Sequence, residues 1–496
     1  MTDDGNEKED HPMKKTLSLI LAVLMLLPGL ASCGTEEQKP ADTGVNPAQT
    51  ENAQTGETTP TVNESAEEGG KEEVIEPAET EPLRLEPDYS DFVMPEETGE
   101  LTVYGYEMIN LLLSPALEIF QEKYPDVKVN FVKLTDDEFQ ARIETEVPAG
   151  KGPDLLFTNT GTLPDPFKAM TMHIFTDLNP YFLNDAEFSF DDYLKDAMDS
   201  LLCQGERQIV PIEINLPVYK TSVETLTEAG IDPEQIRTFE DYCAACVKYH
   251  ESYPDNALFS SGGEDDYLME LLSASGMRFI DYNDGIVSVN EEQLRALLEV
   301  CRAFHTGSSH EIDPDHKAIE GLFARMYLCS NIGTGELTLM NDLSLIRNRG
   351  ETPYFLSVKD ADGGVTAQVL YFAAIPQGAA NKLNAYRLLK ILLSEEIQGG
   401  HESKGFQINY LRTGIPVLKS AIEKRTLEAK EMFFPDKDED AQLIINYCTS
   451  VTNASLLPHI IYRYITLELM PYVRGEKPWD DCYKRFLNTL ELYASE

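Results

Sequence analysis

Leu101 Thr102 Val103 Tyr104 Gly105 opens a stretch, closed by Leu155 Leu156 Phe157, whose alternating patterns decide the fold. The opening run is short, apolar and ended by Gly, as a buried strand is. Leu113, Leu117, Phe120 and Tyr124 then recur on one helical face until Pro125 stops the helix. Val127, Val129 and Phe131 alternate as a second strand, and Phe139, Ile143 and Val147 at four-residue steps give a second helix. Pro148 to Gly152 break that helix before Leu155 Leu156 Phe157 form a third buried strand. Strand, helix, strand, helix, strand predicts a parallel sheet with right-handed crossovers. Ligands of such sheets bind beyond the carboxyl ends of the strands, which here are Gly105 Tyr106 Glu107 and Thr158 Asn159 Thr160.

Upstream of this stretch the composition changes. From Gly34 to about Thr98 the chain is Glu, Thr, Pro, Gly, Ala and Asn, with acids far outnumbering bases, so it cannot bury enough to fold. Its like charges predict an extended, solvated tether. Before it, Lys14 and Lys15 precede an apolar core from Leu17 to Leu27, and Leu30 Ala31 Ser32 Cys33 follows. That core falls short of the roughly 20 residues a membrane span needs, so it reads as a signal peptide. The Leu-Ala-Ser-Cys run resembles the lipobox of bacterial lipoproteins. That resemblance implies lipid on Cys33, cleavage before it, and everything downstream outside the membrane. The acidic lead Met1 to Pro12 fits no signal peptide, so translation is expected to start at Met13.

At 496 residues with 42% hydrophobic side chains, the chain has material for two lobes. A formal net charge of -46 argues against nucleic acid and against an anionic bilayer face, since both call for surplus Lys and Arg. With Cys33 assigned to lipid, Cys203, Cys243, Cys246, Cys301, Cys329, Cys448 and Cys482 have no regular spacing and define no disulfide framework. Cys243 and Cys246 form a CxxC, but Phe239, Tyr242, Cys246 and Tyr249 share a helical face, which predicts packing and no zinc site.

Several motifs in order carry a family resemblance. Phe120 Gln121 Glu122 Lys123 Tyr124 Pro125, Gly152 Pro153 Asp154 Leu155 Leu156, Phe175 Thr176 Asp177 Leu178 Asn179 Pro180, Ile209 Val210 Pro211 Ile212 and Ala229 Gly230 Ile231 Asp232 Pro233 come first. Ala385 Tyr386 Arg387 Leu388 Leu389 Lys390, Gly414 Ile415 Pro416 Val417 and the tail from Leu467 to Tyr493 follow. The chain from Leu101 onward resembles family 1 extracellular solute-binding proteins, the maltose-binding-protein-like group. The resemblance implies an α/β fold of two lobes, each a mainly parallel sheet flanked by helices, joined by a multi-strand hinge. It implies a leader at 1–32, a lipid-anchored acidic linker at 33–98, a first lobe at 99–212 and 370–426, and a second at 213–369 and 427–496. Asp362 Gly363, between Phe355 Leu356 Val358 and Val365 Ala367 Val369, is the best hairpin signal in the sequence.

Catalytic signatures are lacking: there is no HExxH, GxSxG or Walker loop. Gly333 Thr334 Gly335 lacks the third Gly of a dinucleotide loop, and His305, His310 and His316 are irregularly spaced, so neither cofactor nor metal is expected. The resemblance places binding positions at Glu213 and Asn215 on the first crossing strand, Tyr371 on the second, Glu336 after the Gly333 turn, and Tyr462 and Arg463 near the carboxy terminus. With Tyr106, Glu107, Asn159 and Thr160 at the strand ends, these are the candidate ligand contacts. Lys220 departs from the family's Asn or Asp after Tyr219, and the lone Trp479 is expected outside the cleft. The expectation is a monomeric, non-enzymatic binding protein on the outer face of the cell membrane, handing a small solute, with sugar the favoured class, to ABC permease subunits. A cell-surface hydrolase acting on glycosides and a sensor or adhesin lipoprotein are the alternatives.

Overall fold

A computed structural model describes residues 89–106, 110–163, 165–216, 218–252, 264–282, 284–305, 336–357, 359–360, 363–400, 402–403, 406–407 and 414–495. The leader, Cys33 and most of the acidic segment lie outside these residues. Order begins earlier than the sequence pattern implies. Phe92 and Met94 pack against the first core, the Tyr89 hydroxyl donates to Asp177 Oδ2 at 2.5 Å, and Arg387 pairs with Glu97 at 2.9 Å. The stretch 89–99 is thus a strap laid on the folded body.

The expected strands form as β1 (Glu100–Tyr106), β2 (Lys128–Leu134) and β3 (Leu155–Asn159), with β1 central and parallel to both neighbours. The helix Asn110–Lys123 buries Leu113 and Phe120, and Asp136–Glu146 buries Phe139 and Ile143. A reciprocal cap starts the second helix, the Thr135 side chain taking the Glu138 N–H while the Glu138 carboxylate accepts from Thr135. Asp154 explains its motif: it is 4% exposed, and its carboxylate accepts from the Thr102 N–H at 2.7 Å and from both the Asn381 N–H and side-chain amide at 2.9 Å. One buried acid therefore ties β1 to the start of the helix Lys382–Leu393.

The sheet continues through β4 (Val210–Asn215) and two strands from late in the chain, β9 (Thr366–Ala374) and β12 (Ile415–Pro416). Its order is β12-β4-β9-β3-β1-β2, with β13 (Asn453–Ser455) joining β9. β9 runs antiparallel to β3 and β4, so the amino-terminal parallel unit is extended by the returning chain.

The hairpin expected around Asp362 Gly363 does not form. Gly363 turns at φ 78°, but β8 (Pro353–Ser357) pairs with β5 (Val218–Ser222), whereas β9 enters the large sheet. Asp362 lies outside the described residues, and the partners of the strands on either side come from elsewhere. Two further pairs are short: β6 (Ile280–Asp281) with β7 (Ile286–Val287), and β10 (Glu402–Ser403) with β11 (Phe406–Gln407).

Two hydrophobic cores result. The first holds the sheet with Phe120, Phe157 and Phe372; the second is helical among the described residues, built on Phe239–Ser252, Glu291–His305, His459–Glu468 and Trp479–Ser495. Their division differs from the expected boundaries. Leu339 and Leu343, and the residues from Ala429 to Leu456, belong to the first core, and the chain enters the second for the last time at Leu457. The cause is packing: helix Glu336–Asn348 lies on Lys419–Phe433 and Asp438–Cys448, and Arg347 grips the buried Asp440 with two hydrogen bonds. Cys243 and Cys246 are both buried in the second core, and burial pushes the Cys243 thiol well up, away from the reactive thiolate.

Candidate functional site

The register brings several sequence-predicted residues into one row at the carboxyl end of β3. Asn159 pairs with Tyr371, Tyr371 with Glu213, and Glu213 with Pro416. Tyr106 ends β1 on the same side, because Gly105 pairs with Phe157. Residues distant in sequence thus meet because antiparallel β9 carries Tyr371 between β3 and β4.

Each member is held differently. The Asn159 side chain accepts the Gly161 N–H at 2.8 Å and so shapes the turn that bears Thr160. Behind it, the Thr158 and Thr162 hydroxyls share a buried hydrogen bond of 2.8 Å. Tyr371 and Tyr106 are half-buried, each with one side on the first core, and the Tyr371 ring lies 6.3 Å from Phe157. An aromatic ring so placed offers a face or edge to a ligand while its other side stays packed. Thr160 and Asn215 are half-buried as well.

Glu213 stands apart. The ladder of β4 on β9 shifts on both sides of it, an irregularity that re-aims a side chain. Glu213 is 1% exposed and its carboxylate faces Arg425 at 3.6 Å, and the 5% exposed Arg425 also donates to the Gly414 carbonyl at 3.0 Å. Gly414 has to be Gly: a Cβ there would lie 2.7 Å from Glu213 Oε2 and 2.8 Å from its Cβ. Arg425 and Gly414 complete this knot, and nothing in the sequence connects them to Glu213. No local pattern could, because the contact depends on how β12 pairs with β4.

In the second lobe, Tyr462 is half-buried beside His459, with ring centroids 6.3 Å apart, and Arg463 is exposed. Both lie on the helix His459–Glu468. Trp479 is 5% exposed in the second core, stacked on Tyr483 at 5.0 Å with its indole N–H on Glu291 at 2.9 Å. It is a core residue. Glu107, Gly333 to Gly335, His310 and His316 lie outside the described residues, as do the side chains of Glu336 and His305. Among the described residues no three His, Cys, Asp or Glu side chains gather as a metal site would require. A groove of about 680 Å³ bounded by Asp196, Asp199, Arg278, Asp360 and Asn453 shares no residue with the row on β3, β9 and β4.

Two cores joined by several passages of the chain, with polar and aromatic groups at the carboxyl end of an open sheet, make a two-lobed α/β fold. Residues 107–319 match the family model described as bacterial extracellular solute-binding protein. Similar solved structures include an ABC substrate-binding protein from Listeria monocytogenes in complex with cycloalternan, 14% identical, TM-score 0.52, covering 80% of this chain and 99% of that one. Another is a cyclic alpha-maltosyl-1,6-maltose binding protein from Arthrobacter globiformis, 15% identical, TM-score 0.51, covering 79% and 98%. Among curated proteins, an arabinooligosaccharide-binding protein of Halalkalibacterium halodurans is 24% identical over 210 residues, 41% of this chain. The match spans 45% of that relative, under half its length.

Proposed function

We propose that this chain is a lipid-anchored extracellular binding protein that captures a sugar or oligosaccharide between its lobes and delivers it to an ABC importer. The row of Asn159 and Tyr371, with Tyr106 at the same end of the sheet, carries the reading, because half-buried rings near a side-chain amide and the Thr160 hydroxyl suit the mixed apolar and hydroxylated faces of a sugar. The arabinooligosaccharide-binding relative and the structures named for cyclic oligosaccharides support that solute class. Glu213 directs the same choice. With Arg425 against it, its carboxylate is matched within the protein, which favours an uncharged solute over a polyamine. Glu107, Glu336, Asn215, Thr160, Tyr462 and Arg463 are further proposed contacts. Capture is hinge closure: a solute touching both lobes stabilises the closed form by its differential affinity, and no bond is made or broken.

A melting screen against neutral oligosaccharides, peptides and polyamines tests this. A solute at 100 times its dissociation constant adds about 2.7 kcal/mol, a readily measured shift. Neutral oligosaccharides are expected to raise the melting temperature without being consumed. A shift from polyamines alone, or product accumulating from the sugar, would sink the proposal. For the anchor, Cys33→Ser is expected to release the protein from membranes, and a variant that still sediments with them would refute lipidation there.

A further inference from the structure

Two tyrosines of the second lobe, far apart in sequence, close on one carboxylate of the first. Asp165, 7% exposed, begins the helix Pro166–Thr171, and its Oδ1 accepts the Lys168 N–H at 3.0 Å. Its Oδ2 accepts two phenol hydrogens, from Tyr282 at 2.5 Å and from Tyr493 at 2.9 Å. The neighbouring residues repeat the pairing. Phe167 stacks on Tyr282 with centroids 5.3 Å apart, and Lys168 places its ammonium 4.3 Å from the centre of the Tyr493 ring. Phe167 packs on the first core, whereas Tyr282 and Tyr493 pack on the second. Burial, reinforced by the Asp165 charge, pushes the Tyr282 phenol up, so it remains a donor.

The contact belongs to a tight seam. Gly276 of the second lobe, at φ 65°, lies so near β9 that a Cβ would stand 2.6 Å from Thr366 Oγ1, and the Arg278 guanidinium donates to the Ser200 carbonyl at 3.0 Å. A cavity of about 240 Å³ opens beside it, lined by Phe167, Cys203, Met277, Tyr282, Ala454 and Leu457 from both cores. None of these residues belongs to the row of proposed solute contacts. Hydrogen bonds to a carboxylate are short and directional, so rotation of one lobe on the other breaks them within a small displacement. The adjacent cavity leaves room for the rings to move.

We propose that Asp165, Tyr282 and Tyr493 form an inter-lobe clasp that sets the resting angle between the lobes. A solute that is held at any other angle between the lobes then has to work against the clasp, which lowers its apparent affinity. The clasp is a property of the fold and stands whatever the solute is.

The test needs no solute. Spin labels on p-acetylphenylalanine introduced in the full chain at exposed positions 122 and 484, one on each lobe, report the inter-lobe distance by pulsed electron resonance. Tyr282→Phe with Tyr493→Phe removes only two hydroxyls, and Asp165→Asn weakens the shared acceptor while keeping its size. Both proteins are expected to shift the distance maximum or to gain a second one. Tyr472→Phe is the control, because that phenol bonds Glu299 inside the second lobe and its loss should leave the distance unchanged. If the clasp variants match the parent, or if Tyr472→Phe moves the distance as far as they do, the clasp does not set the angle.

Discussion

The first lobe is organised by a sheet and the second by helices, and the two gather distant residues by different means. In the sheet, register does the work: Asn159, Tyr371, Glu213 and Pro416 come from remote parts of the chain and fall into one row. In the helical lobe, aromatic packing does it. Tyr472 and Tyr483 both flank Trp479, and Phe279 meets Phe486 edge-on at 6.1 Å. A slip of one residue would turn a strand's side chains to the other face, whereas a helix in a soft aromatic core tolerates small shifts. The difference teaches that polar groups needing fixed positions belong on the sheet.

The largest expected effect tests whether the two cores are energetically one. Phe120→Ala in the first and Phe486→Ala in the second each empty a fully buried site and should cost about 3 to 5 kcal/mol. Trp479 lies only in the second core, so its fluorescence reports that lobe while circular dichroism reports both. Because the chain passes repeatedly between the cores and the seam is tight, both probes are expected to give one coincident urea transition in either variant. Separate midpoints would make the lobes independent folding units.

Next comes the knot on the sheet. Arg425→Met leaves Glu213 charged and buried, and removing one partner of such a pair costs about 3 kcal/mol or more. Adding Glu213→Gln should recover much of that loss in urea melts, since the uncompensated charge is then gone. Failure to recover would mean that Arg425 acts through packing and its bond to Gly414.

What the sequence made legible follows the same division. β1, β2, β3 and the helices between them were readable because periodicity and the breakers Pro125 and Pro148 are local signals. Strand partners were not: the turn at Gly363 was visible, but nothing near it says that β8 pairs with β5. The strap at 89–99 carried its signal in Phe92 and Met94, two large apolar residues in an acidic stretch, yet their docking face was set by Tyr181 and the remainder of the first core. Tyr106, Asn159 and Thr160 could be nominated from strand ends, whereas Arg425, Gly414 and the Asp165 clasp exist only once register and lobe packing are fixed.

A smaller effect bears on the proposed solute contacts. Tyr106→Ala on the sheet side and Tyr462→Ala on the helical side should each weaken solute binding by about 1 to 2 kcal/mol by calorimetry, while shifting the melting temperature of the unliganded protein far less than Phe120→Ala. If Tyr106→Ala weakens binding and Tyr462→Ala does not, the helical lobe contributes other groups. If neither does, the row is not the site.

The smallest effect lies on an acidic network of the first lobe and sharpens the comparison by pH. Asp199 pairs with Arg207 at 2.5 Å and Lys195 at 2.8 Å; burial raises its pKa, but the hydrogen bonds to Lys195 and Arg207 outweigh burial and hold it below the ordinary 3.8. A depressed folded-state pKa means the pairing stabilises fully above the unfolded value near 4 and is lost as pH falls through the lower folded value. Parent stability should therefore decline below about pH 4 more steeply than that of Asp199→Asn. The two partners are unequal. The Arg207 side chain is 4% exposed and also donates to the Met198 carbonyl, so Asp199→Asn should cost about 1 to 2 kcal/mol at neutral pH. Lys195 is 52% exposed, so Lys195→Met should change stability by no more than about 0.5 kcal/mol and keep most of the acid slope. Urea melts from pH 2.5 to 7 separate the cases. An acid slope that survives in Asp199→Asn but vanishes in Lys195→Met would move the linkage from the buried guanidinium of Arg207 to the exposed ammonium of Lys195.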